Sequence, residues 1–340
     1  MDSVTQIVLG ASVGEAVLGR KIGNKAPLWG AVAGTIPDLD VLSQPFMDVV
    51  EELMFHRSIT HSLLFCVLAS FVFARLVYPW YRSNTRYKDW YWLFFWGFLT
   101  HSLLDTCTTW GTQLLYPFTR YGYSTYSVFV IDPFYTIPFA VFLILAILRR
   151  KGSAKRRNYN LAGLGISTLY LIFGLLAQMH VEQVMEEEMN KQGIKFDRYI
   201  VKATPMNTLL WSVIADTDEG FYTGFYSLLD AAERSVIFDF FPKNYELMED
   251  FPRTEKLKNL LYVTKGYYTV ESPMENRLKI NDVRFGQFNG WRAGEHGQFV
   301  FIYEVIKDPH TNTLSFEQRP FSFRPDENYL LDYWYRIIGN

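Results

Sequence analysis

The 340 residues of the chain are enough for two domains, and the near-neutral formal charge of −2 gives no reason to expect a nucleic-acid partner. The two cysteines, Cys66 and Cys107, do not form the pattern of a disulfide framework and say little about the redox compartment. The chain opens Met1-Asp2-Ser3, with no basic segment before the first apolar run, so we do not expect a cleaved signal peptide.

Apolar stretches alternate with polar connections over the first half of the chain, and the two weakest stretches come first. Ile7–Gly19 and Leu28–Ile36 are short for independent membrane spans, so we expect them to form a helical hairpin. The later stretches are near or just under the ~20 residues that a helix needs to cross a hydrocarbon core of ~30 Å, and we interpret each as a membrane helix. These segments are Leu63–Trp80, Trp90–Leu104, Val128–Leu148 and Leu161–Gln178. The sequence therefore predicts an all-α, multi-pass membrane domain over residues 1–180.

The sequence changes character after His180. Charged residues become more frequent, and strand-like alternation of polar and apolar residues occurs in Arg198–Ala203, Asn259–Thr264 and Gln298–Val305. His296 lies in turn-like sequence, where we expect a solvated side chain. Residues 181–340 are thus predicted to be a smaller β-rich or α+β extracytoplasmic domain, to which the sequence assigns no role.

Lysine and arginine side chains concentrate in three of the connections between apolar stretches. Because cytoplasmic loops of membrane proteins carry an excess of these residues, all three are predicted to face the cytoplasm. The alternate connections, Pro37–Thr60 and Thr106–Ser127, carry only Arg57 and Arg120 as cations and are expected outside. The basic connections contain Arg20, Lys21 and Lys25; Arg82, Arg86 and Lys88; and Arg149, Arg150, Lys151, Lys155, Arg156 and Arg157. This topology predicts a multi-pass cell-membrane protein whose polar strings and C-terminal domain face outward.

Three polar strings interrupt the membrane-like sequence: PDLD at residues 37–40, HRSITHS at 56–62 and HSLLD at 101–105. Ionisable groups are costly inside a bilayer and usually mark a pathway or a site. His101 and Asp105 are four residues apart in a helical pattern, so both side chains share one face and can close on one divalent ion such as zinc. A hydrogen bond that only packs the helix is the alternative. The predicted position of all three strings on one membrane face favours the metal site.

The other two strings offer paired candidates. Asp38 and Asp40 point to opposite sides in extended chain, so we expect one to bind the metal and the other to orient a histidine or act as a general base. A turn or helix cap is the alternative for either carboxylate. At least one of His56 and His61 is expected to be a ligand, and the other could bind a second metal or the substrate.

Three further ionisable residues have competing interpretations. Arg57 could hold a phosphate or carboxylate beside the metal, or could form a salt bridge with Glu51 or Glu52. Asp132 precedes an apolar stretch, where a helix cap is slightly favoured over a place in the site. Glu15 lies in the first apolar stretch and is expected to be a buried hydrogen-bonding residue.

The strings MDSVTQIVLGASVG, PDLDVL, HRSITHSL, HSLLDTCTTWGTQLLYPF and VIDPFY occur in this order, and the combination resembles the YdjM-type membrane-bound metal-dependent hydrolases over residues 1–180. That family is remotely similar to the zinc-dependent phospholipases C and their nuclease relatives, all-helical enzymes whose metals are bound by His and Asp. The resemblance therefore implies a helical, phospholipase C-like metal site. The resemblance also implies that the metal is bound by Asp38 or Asp40, by His56 or His61, and by His101 with Asp105.

One position departs from the family pattern. Many members carry His at the end of an opening Asp-x-x-Thr-His string, whereas this chain has Asp2, Thr5 and then Gln6. A neutral amide is a poor zinc ligand, since zinc sites in proteins use Cys, His, Asp and Glu. The number of ions, one or two, therefore stays open.

Together these features predict a membrane-bound metal-dependent hydrolase that acts on an ester or phosphoester at the outer membrane face through a metal-activated water. The expected cofactor is a divalent metal, with zinc favoured, and the expected partners are the lipid bilayer and a lipid or other phosphoester substrate. The candidate catalytic residues are Asp38, Asp40 and Arg57. The candidate metal ligands are Asp38, Asp40, His56, His61, His101 and Asp105. A metal-binding membrane transporter or sensor and a non-enzymatic membrane scaffold are the competing functions.

Overall fold

The computed structural model describes residues 1–340 except 232–233, 293, 295–296 and 323–324. His296, predicted to be solvated, lies outside the described residues. The described chain divides into two compact units. The first unit comprises residues 1–42, 55–176 and 205–207, and the second comprises residues 43–54, 177–204 and 208–340.

Helices form most of the first unit, whereas strands form most of the second. In chain order the α-helices of the described residues are α1 (Ser3–Ile22), α2 (Lys25–Thr35), α3 (Val49–Phe55), α4 (Leu63–Val77), α5 (Tyr87–Asp105), α6 (Pro133–Ile147), α7 (Ala154–Lys191), α8 (Glu255–Val263) and α9 (Tyr329–Ile337). Among them, α1, α2, α4 and α5 pack around a core that contains Leu18, Phe94 and Phe98.

The prediction of an all-α, multi-pass membrane domain is wrong. Within the described residues, two helical segments are long and apolar enough to cross a membrane, Leu63–Trp80 and Ala154–Lys191. Helix α6 has 15 residues and is about 22 Å long at 1.5 Å per residue, which is shorter than a hydrocarbon core of ~30 Å. Helix α5 buries Trp90, Phe94 and Phe98 completely inside the protein. These three side chains build a protein core, and hydropathy alone does not distinguish burial in a core from exposure to lipid.

Helices α1 and α2 form the expected hairpin, with glycines at their crossing. A Cβ atom added at Gly10 would lie 2.3 Å from the Gly30 carbonyl oxygen, and one added at Gly14 would lie 2.3 Å from the Ala26 carbonyl oxygen. No side chain fits between the two backbones at these positions. This close approach places the end of α2, including the Gly34 carbonyl, against the helices that carry the polar strings.

Two ionisable residues of the apolar stretches have structural roles. Arg156 of α7 donates to both carboxylate oxygens of Glu15, from Nε and from Nη2, each at 2.6 Å. Both side chains are buried, which confirms the expected buried, hydrogen-bonded state of Glu15. Asp132 caps α6, accepting from the backbone N–H groups of Phe134 and Tyr135 at 3.0 and 3.3 Å, in agreement with the favoured interpretation.

Two antiparallel four-stranded sheets form the centre of the second unit. One has the order β1 (Arg198–Ala203), β2 (Leu210–Asp216), β3 (Gly220–Ser227) and β4 (Phe238–Pro242), and the other has the order β5 (Tyr268–Met274), β6 (Arg277–Asp282), β7 (Ile302–Lys307) and β8 (Leu314–Gln318). Val201 of β1 pairs with Val213 of β2, and both are buried in one core cluster. The predicted strand Asn259–Thr264 lies mostly in α8, because the buried Leu257 and Leu260 are spaced for one face of a helix.

Candidate metal centre

Short segments of the chain position the three polar strings. The PDLD string begins a 3-10 helix, Pro37–Phe46, and HRSITHS ends after a 3-10 turn, Ile59–His61. Ser62 then caps α4 with its side chain, which fixes the direction in which the chain leaves the turn. His101 and Asp105 lie one helical turn apart at the end of α5. The local folding of each string thus fixes a His or Asp at a helix end or turn.

The side chains of Asp38, His61, His101 and Asp105 converge on one point. One potential ligand atom from each lies within 4.8 Å of the others. The two imidazole Nε2 atoms are 3.2 Å apart. Asp38 Oδ1 lies 3.4 Å from each of them, and Asp105 Oδ2 lies 3.3 Å from that of His61 and 3.6 Å from that of His101. Metal–ligand bonds of 2.0–2.1 Å in a tetrahedron separate the ligand atoms by about 3.3–3.4 Å, which is close to the separations that involve the two histidine nitrogens.

Both histidines of this cluster are held through their other ring nitrogen. His101 Nδ1 donates to the Gly34 carbonyl oxygen at 2.7 Å, and His61 Nδ1 lies 3.0 Å from the Thr60 hydroxyl oxygen. A partner at Nδ1 orients the ring and leaves the Nε2 lone pair for a metal, the usual arrangement of metal-binding histidines. Asp105 Oδ2 is buried and has no hydrogen-bond partner among the described residues. A bound cation would satisfy that oxygen, which is a second reason why the residues fit a metal.

Arg57 lies beside the cluster, and its carboxylate neighbour is Asp105. Its Nε is 3.3 Å from Asp105 Oδ2, and its Nη1 donates to the Thr108 hydroxyl at 2.9 Å. The backbone φ of 57° is in the left-handed region, an uncommon conformation for arginine. The Arg57 N–H donates to Asp40 Oδ2 at 3.0 Å, which helps to hold that conformation. The loop is therefore shaped so that the guanidinium is buried next to the cluster.

Asp40 and His56 lie at the edge of the cluster and pair with each other. His56 Nδ1 donates to Asp40 Oδ2 at 3.2 Å, and the His56 side chain is 37% exposed. The centre of its ring is 5.8 Å from that of Trp110 and 6.3 Å from that of His61. Of the paired candidates, the structure brings Asp38 and His61 to the common point and leaves Asp40 and His56 beside it.

The electrostatic environment keeps the carboxylates of the site charged. Burial alone would raise the pKa of Asp38, but hydrogen bonds from His101 and His61 outweigh it and hold that pKa well below its usual range. The pKa of Asp40 is also lowered, since its histidine partner and the backbone N–H oppose the effect of burial. Burial disfavours a charge on His61, yet Asp105 and Asp38 raise its pKa. Charged carboxylates beside the two histidines favour a cation.

Gln6, the residue that departs from the family pattern, contacts the cluster as a hydrogen-bond donor. Its Nε2 donates to Asp105 Oδ1 at 3.0 Å and to the His101 carbonyl oxygen at 3.3 Å. The Met1 amino group also contacts Asp105 Oδ1. These donors engage one carboxylate oxygen and turn the other toward the histidines. Gln6 therefore helps to orient Asp105 through its amide N–H group.

Sequence reasoning missed several contacts of the site. The Thr108 hydroxyl, the Gly34 carbonyl and the Trp110 ring were not among the candidates, although each contacts a candidate residue. Thr108 and Trp110 belong to the string HSLLDTCTTWGTQLLYPF that carries the family resemblance, and this was the available signal. A backbone carbonyl such as that of Gly34 leaves no signature in the sequence.

The sequence model of the YdjM inner membrane protein family matches residues 1–181, which include every residue of the cluster. The chain belongs to this family. The match confirms the resemblance to the YdjM family, whose description is that of an inner membrane protein. The bilayer is thus its expected environment, and two helical segments of the described chain meet the length and composition for a span.

Two curated proteins are similar to this YdjM family member over part of their length. The protein named Uncharacterized protein YfhP from Bacillus subtilis (strain 168) is 24% identical over 237 residues, which cover 66% of this chain and 68% of the relative. Inner membrane protein YbcI from Escherichia coli (strain K12) is 30% identical over 126 residues, which cover 35% of this chain and 72% of the relative. No solved structure matches the chain at a significant level. Neither name states a reaction, so any activity has to be argued from the site.

Proposed function

We propose that this YdjM family member is a membrane-bound, metal-dependent hydrolase that holds one divalent ion with Asp38, His61, His101 and Asp105. The observation that carries the proposal is that each separation involving a histidine Nε2 is 3.2–3.6 Å, close to the edge of a tetrahedron around a zinc-sized ion, while all four ligand atoms lie within 4.8 Å of one another. Two imidazole nitrogens and two carboxylate oxygens suit zinc or another divalent first-row metal. Such an ion, when bound, lowers the pKa of water and polarises an ester or phosphoester oxygen.

Arg57 supplies a fixed positive charge beside the reacting group. Its guanidinium is buried, lies 3.3 Å from Asp105 Oδ2 and is anchored on Thr108. A donor that is already oriented stabilises negative charge as it develops, without reorganisation during the reaction. Guanidinium groups are also suited to phosphate oxygens, so Arg57 favours a phosphoester over an uncharged ester as the substrate.

His56 is better placed than Asp40 to transfer a proton. Asp40 is buried and its pKa is lowered, which makes it a weak base. The His56 ring is partly exposed, and its Nδ1 donates to Asp40, so its Nε2 can accept or release a proton. The carboxylate would orient the ring, as the carboxylate does in a catalytic triad. This assignment revises the expectation that the second carboxylate is itself the general base.

The charge pattern supports a site at the outer face of the membrane. Arg82, Arg86 and Lys88 follow the candidate span Leu63–Trp80, so the positive-inside bias orients its Trp80 end toward the cytoplasm. The opposite end begins two residues after His61 and would then face outward. A membrane-impermeant maleimide should label Arg120→Cys, and not Arg86→Cys, in intact cells of a background with Cys66 and Cys107 replaced by serine. Labelling of Arg86→Cys alone would reverse the orientation.

The hydrolase proposal is tested with full-length protein purified in detergent and reconstituted with zinc. Turnover of bis-p-nitrophenyl phosphate, p-nitrophenyl acetate and a phospholipid is measured together with metal content. Wild type and the control His310→Ala, an exposed histidine of the second unit, should bind metal and hydrolyse at least the phosphodiester. His101→Ala and Asp105→Ala should lose both properties.

The alternative functions give different results in the same experiment. Metal bound by the wild type without turnover of any substrate in the panel would favour a metal-binding sensor or transporter over a hydrolase. A wild type that binds no metal would favour a structural role for the polar cluster. Turnover that survives in both His101→Ala and Asp105→Ala would place any activity at another site.

A further inference from the structure

A loop of the first unit, residues 112–123, is closed by its own backbone hydrogen bonds. The N–H groups of Thr112 and Tyr123 each donate to the carbonyl oxygen of the other residue at 2.9 Å, which joins the two ends of the loop. Between them, the Phe118 N–H donates to the Leu115 carbonyl oxygen at 2.9 Å and forms a turn. The backbone of the 112–123 loop is therefore organised without contacts from its larger side chains.

Large apolar side chains of the 112–123 loop are exposed. Phe118 is 86% exposed, and Leu115 and Tyr121 are 42% and 51% exposed. Arg120 is also exposed and is the one charged residue of the sequence between positions 106 and 127. Clustered exposed apolar side chains mark interaction surfaces. Tyrosine and arginine, which join an apolar body to a polar end, are typical of the boundary between water and lipid.

A backbone hydrogen bond ties the 112–123 loop to the start of a candidate membrane span. The Leu63 N–H donates to the Leu114 carbonyl oxygen at 2.9 Å. Leu63 is the first residue of α4 and of the apolar segment Leu63–Trp80. Since the apolar part of a span begins where the hydrocarbon core begins, backbone bonded to that residue lies at the level of the membrane interface. The exposed side chains of Leu63 and Leu64 continue the apolar surface from the loop onto α4.

A second backbone hydrogen bond ties the same loop to the metal centre. The Gln113 N–H donates to the Arg57 carbonyl oxygen at 3.0 Å. The Arg57 guanidinium in turn lies 3.3 Å from Asp105 Oδ2 of the four-residue cluster. Consecutive residues of the loop, Gln113 and Leu114, are thus bonded to the site and to the start of the candidate span. The loop holds the site next to the membrane interface.

We propose that the 112–123 loop docks on the outer leaflet of the bilayer, with Leu115, Phe118 and Tyr121 among the lipid headgroups and upper acyl chains. Transfer of these side chains from water into lipid is favourable. Arg120 would meet lipid phosphate groups, which guanidinium groups bind well. The bond to the candidate span and the charge of Arg120 favour lipid over a second copy of the chain as the partner of this surface.

The docking has a consequence for the substrate, which rests on the proposed function. A site that the loop holds at the membrane interface receives molecules from the bilayer more readily than molecules from bulk water. Its substrate would then be a phosphoester carried by a membrane lipid. Arg57, bonded to the loop through its backbone, would bind the phosphate group of that lipid.

Electron paramagnetic resonance tests the docking directly. A nitroxide is attached to Phe118→Cys in full-length protein with Cys66 and Cys107 replaced by serine, reconstituted in nanodiscs of phosphatidylcholine and phosphatidylglycerol. Oxygen concentrates in lipid, whereas a water-soluble nickel chelate is excluded from it. We expect the label at position 118 to be more accessible to oxygen than to the chelate. A label at His310→Cys, in an exposed turn of the second unit, should show the reverse.

Labels at Leu115→Cys and Tyr121→Cys keep the test decisive if Phe118→Cys does not fold. Both should behave as the label at position 118. A loop label that is as accessible to the chelate as the label at position 310 would overturn the docking. So would a loop label that is shielded from both reagents and shows dipolar broadening, because a second copy of the chain would then cover the loop.

Turnover tests the consequence for the substrate. With zinc-loaded protein in the same nanodiscs, we measure the ratio of phosphatidylglycerol hydrolysis to bis-p-nitrophenyl phosphate hydrolysis. Phe118→Asp should lower this ratio at least about tenfold, since a carboxylate is costly to place in lipid. Tyr262→Asp, at an exposed aromatic residue of the second unit, is the matched control and should not lower it.

The two proposals fail in different ways. Equal ratios in Phe118→Asp and Tyr262→Asp would overturn the lipid substrate and leave hydrolysis itself intact. If the wild type hydrolyses neither substrate, the proposed function fails, and the spin labels still decide whether the 112–123 loop docks on lipid.

Discussion

The Nε2 atoms of His61 and His101 lie 3.2 Å apart, with the carboxylate oxygens of Asp38 and Asp105 3.3–3.6 Å from them. Two imidazole nitrogens that face each other at this distance need a proton or a cation between them, since two lone pairs repel. Their Nδ1 atoms are already engaged, by the Gly34 carbonyl in one ring and by the Thr60 hydroxyl in the other. The geometry therefore favours a shared cation.

The His56–Asp40 pair should affect turnover and leave metal binding intact. In His56→Gln, we expect the hydrolytic rate to fall by about 10²–10⁴-fold, the usual contribution of a general acid or base. Metal content should stay at the wild-type level, because His56 is not among the four converging residues. Steady-state kinetics and metal analysis of the same preparation check both expectations, with His310→Gln as the control. Loss of metal together with activity would mean that His56 is a ligand.

Thr60 should contribute to metal affinity through its contact with His61 Nδ1. Thr60→Val keeps the shape of the side chain and removes the hydroxyl that lies 3.0 Å from the ring nitrogen. Residues that orient metal-binding histidines typically change affinity by about 10–100-fold, so we expect a weakening in that range. Competition with a zinc chelator measures it. Thr106→Val, which alters a hydroxyl bonded to the Leu103 carbonyl, is a suitable control; equal affinity in Thr60→Val and wild type would refute the role.

A larger residue at the glycine crossing of α1 and α2 should lower the stability of the protein. A Cβ at position 14 would lie 2.3 Å from the Ala26 carbonyl oxygen, so the helices must move apart in Gly14→Ala. We expect a loss of about 1–3 kcal/mol in the free energy of unfolding, as for overpacked cores. Gly165→Ala in α7 is the control, since nothing lies within 4 Å of the added atom. Denaturation of both variants in one detergent tests this, and equal stability would contradict the close crossing.

The Glu15–Arg156 ion pair should stabilise the first unit only as a pair. Arg156→Met leaves the buried Glu15 carboxylate without its two 2.6 Å donors, and removal of one partner from a buried pair costs about 3–5 kcal/mol. The double variant Glu15→Gln, Arg156→Met removes both charges and should recover much of that loss. Chemical denaturation of the two single variants and the double variant gives the coupling. Additive losses would show that the two side chains act independently.

The sequence alone was sufficient to select the three polar strings whose side chains meet in the structure. Ionisable residues inside apolar sequence and the helical spacing of His101 and Asp105 pointed to one site, and the family resemblance pointed to the same residues. It did not decide between Asp38 and Asp40 or between His56 and His61. The two carboxylates lie in the 3-10 helix Pro37–Phe46 rather than in extended chain. The loop between the two histidines contains Arg57 in the left-handed conformation. Nothing in the identity of an arginine predicts that conformation.

The prediction of the first unit's fold was wrong for a physical reason. The apolar composition of α5 led to the prediction of a membrane span. Trp90 and Phe94 are instead buried within the protein, where lipid does not reach them. Helix α6 begins only after the Asp132 cap, so residues 128–132 of the predicted span Val128–Leu148 are not helical. Membrane helices and core helices use the same residue types, and their lengths separate them only once helix ends are known.

The central claim is tested most directly by the zinc content of the full-length protein after reconstitution and removal of free metal. The account predicts one zinc per chain in the wild type and none in His101→Ala, with a folded protein in both cases by circular dichroism. A wild type that retains no zinc, or a folded His101→Ala that retains as much as the wild type, would contradict it.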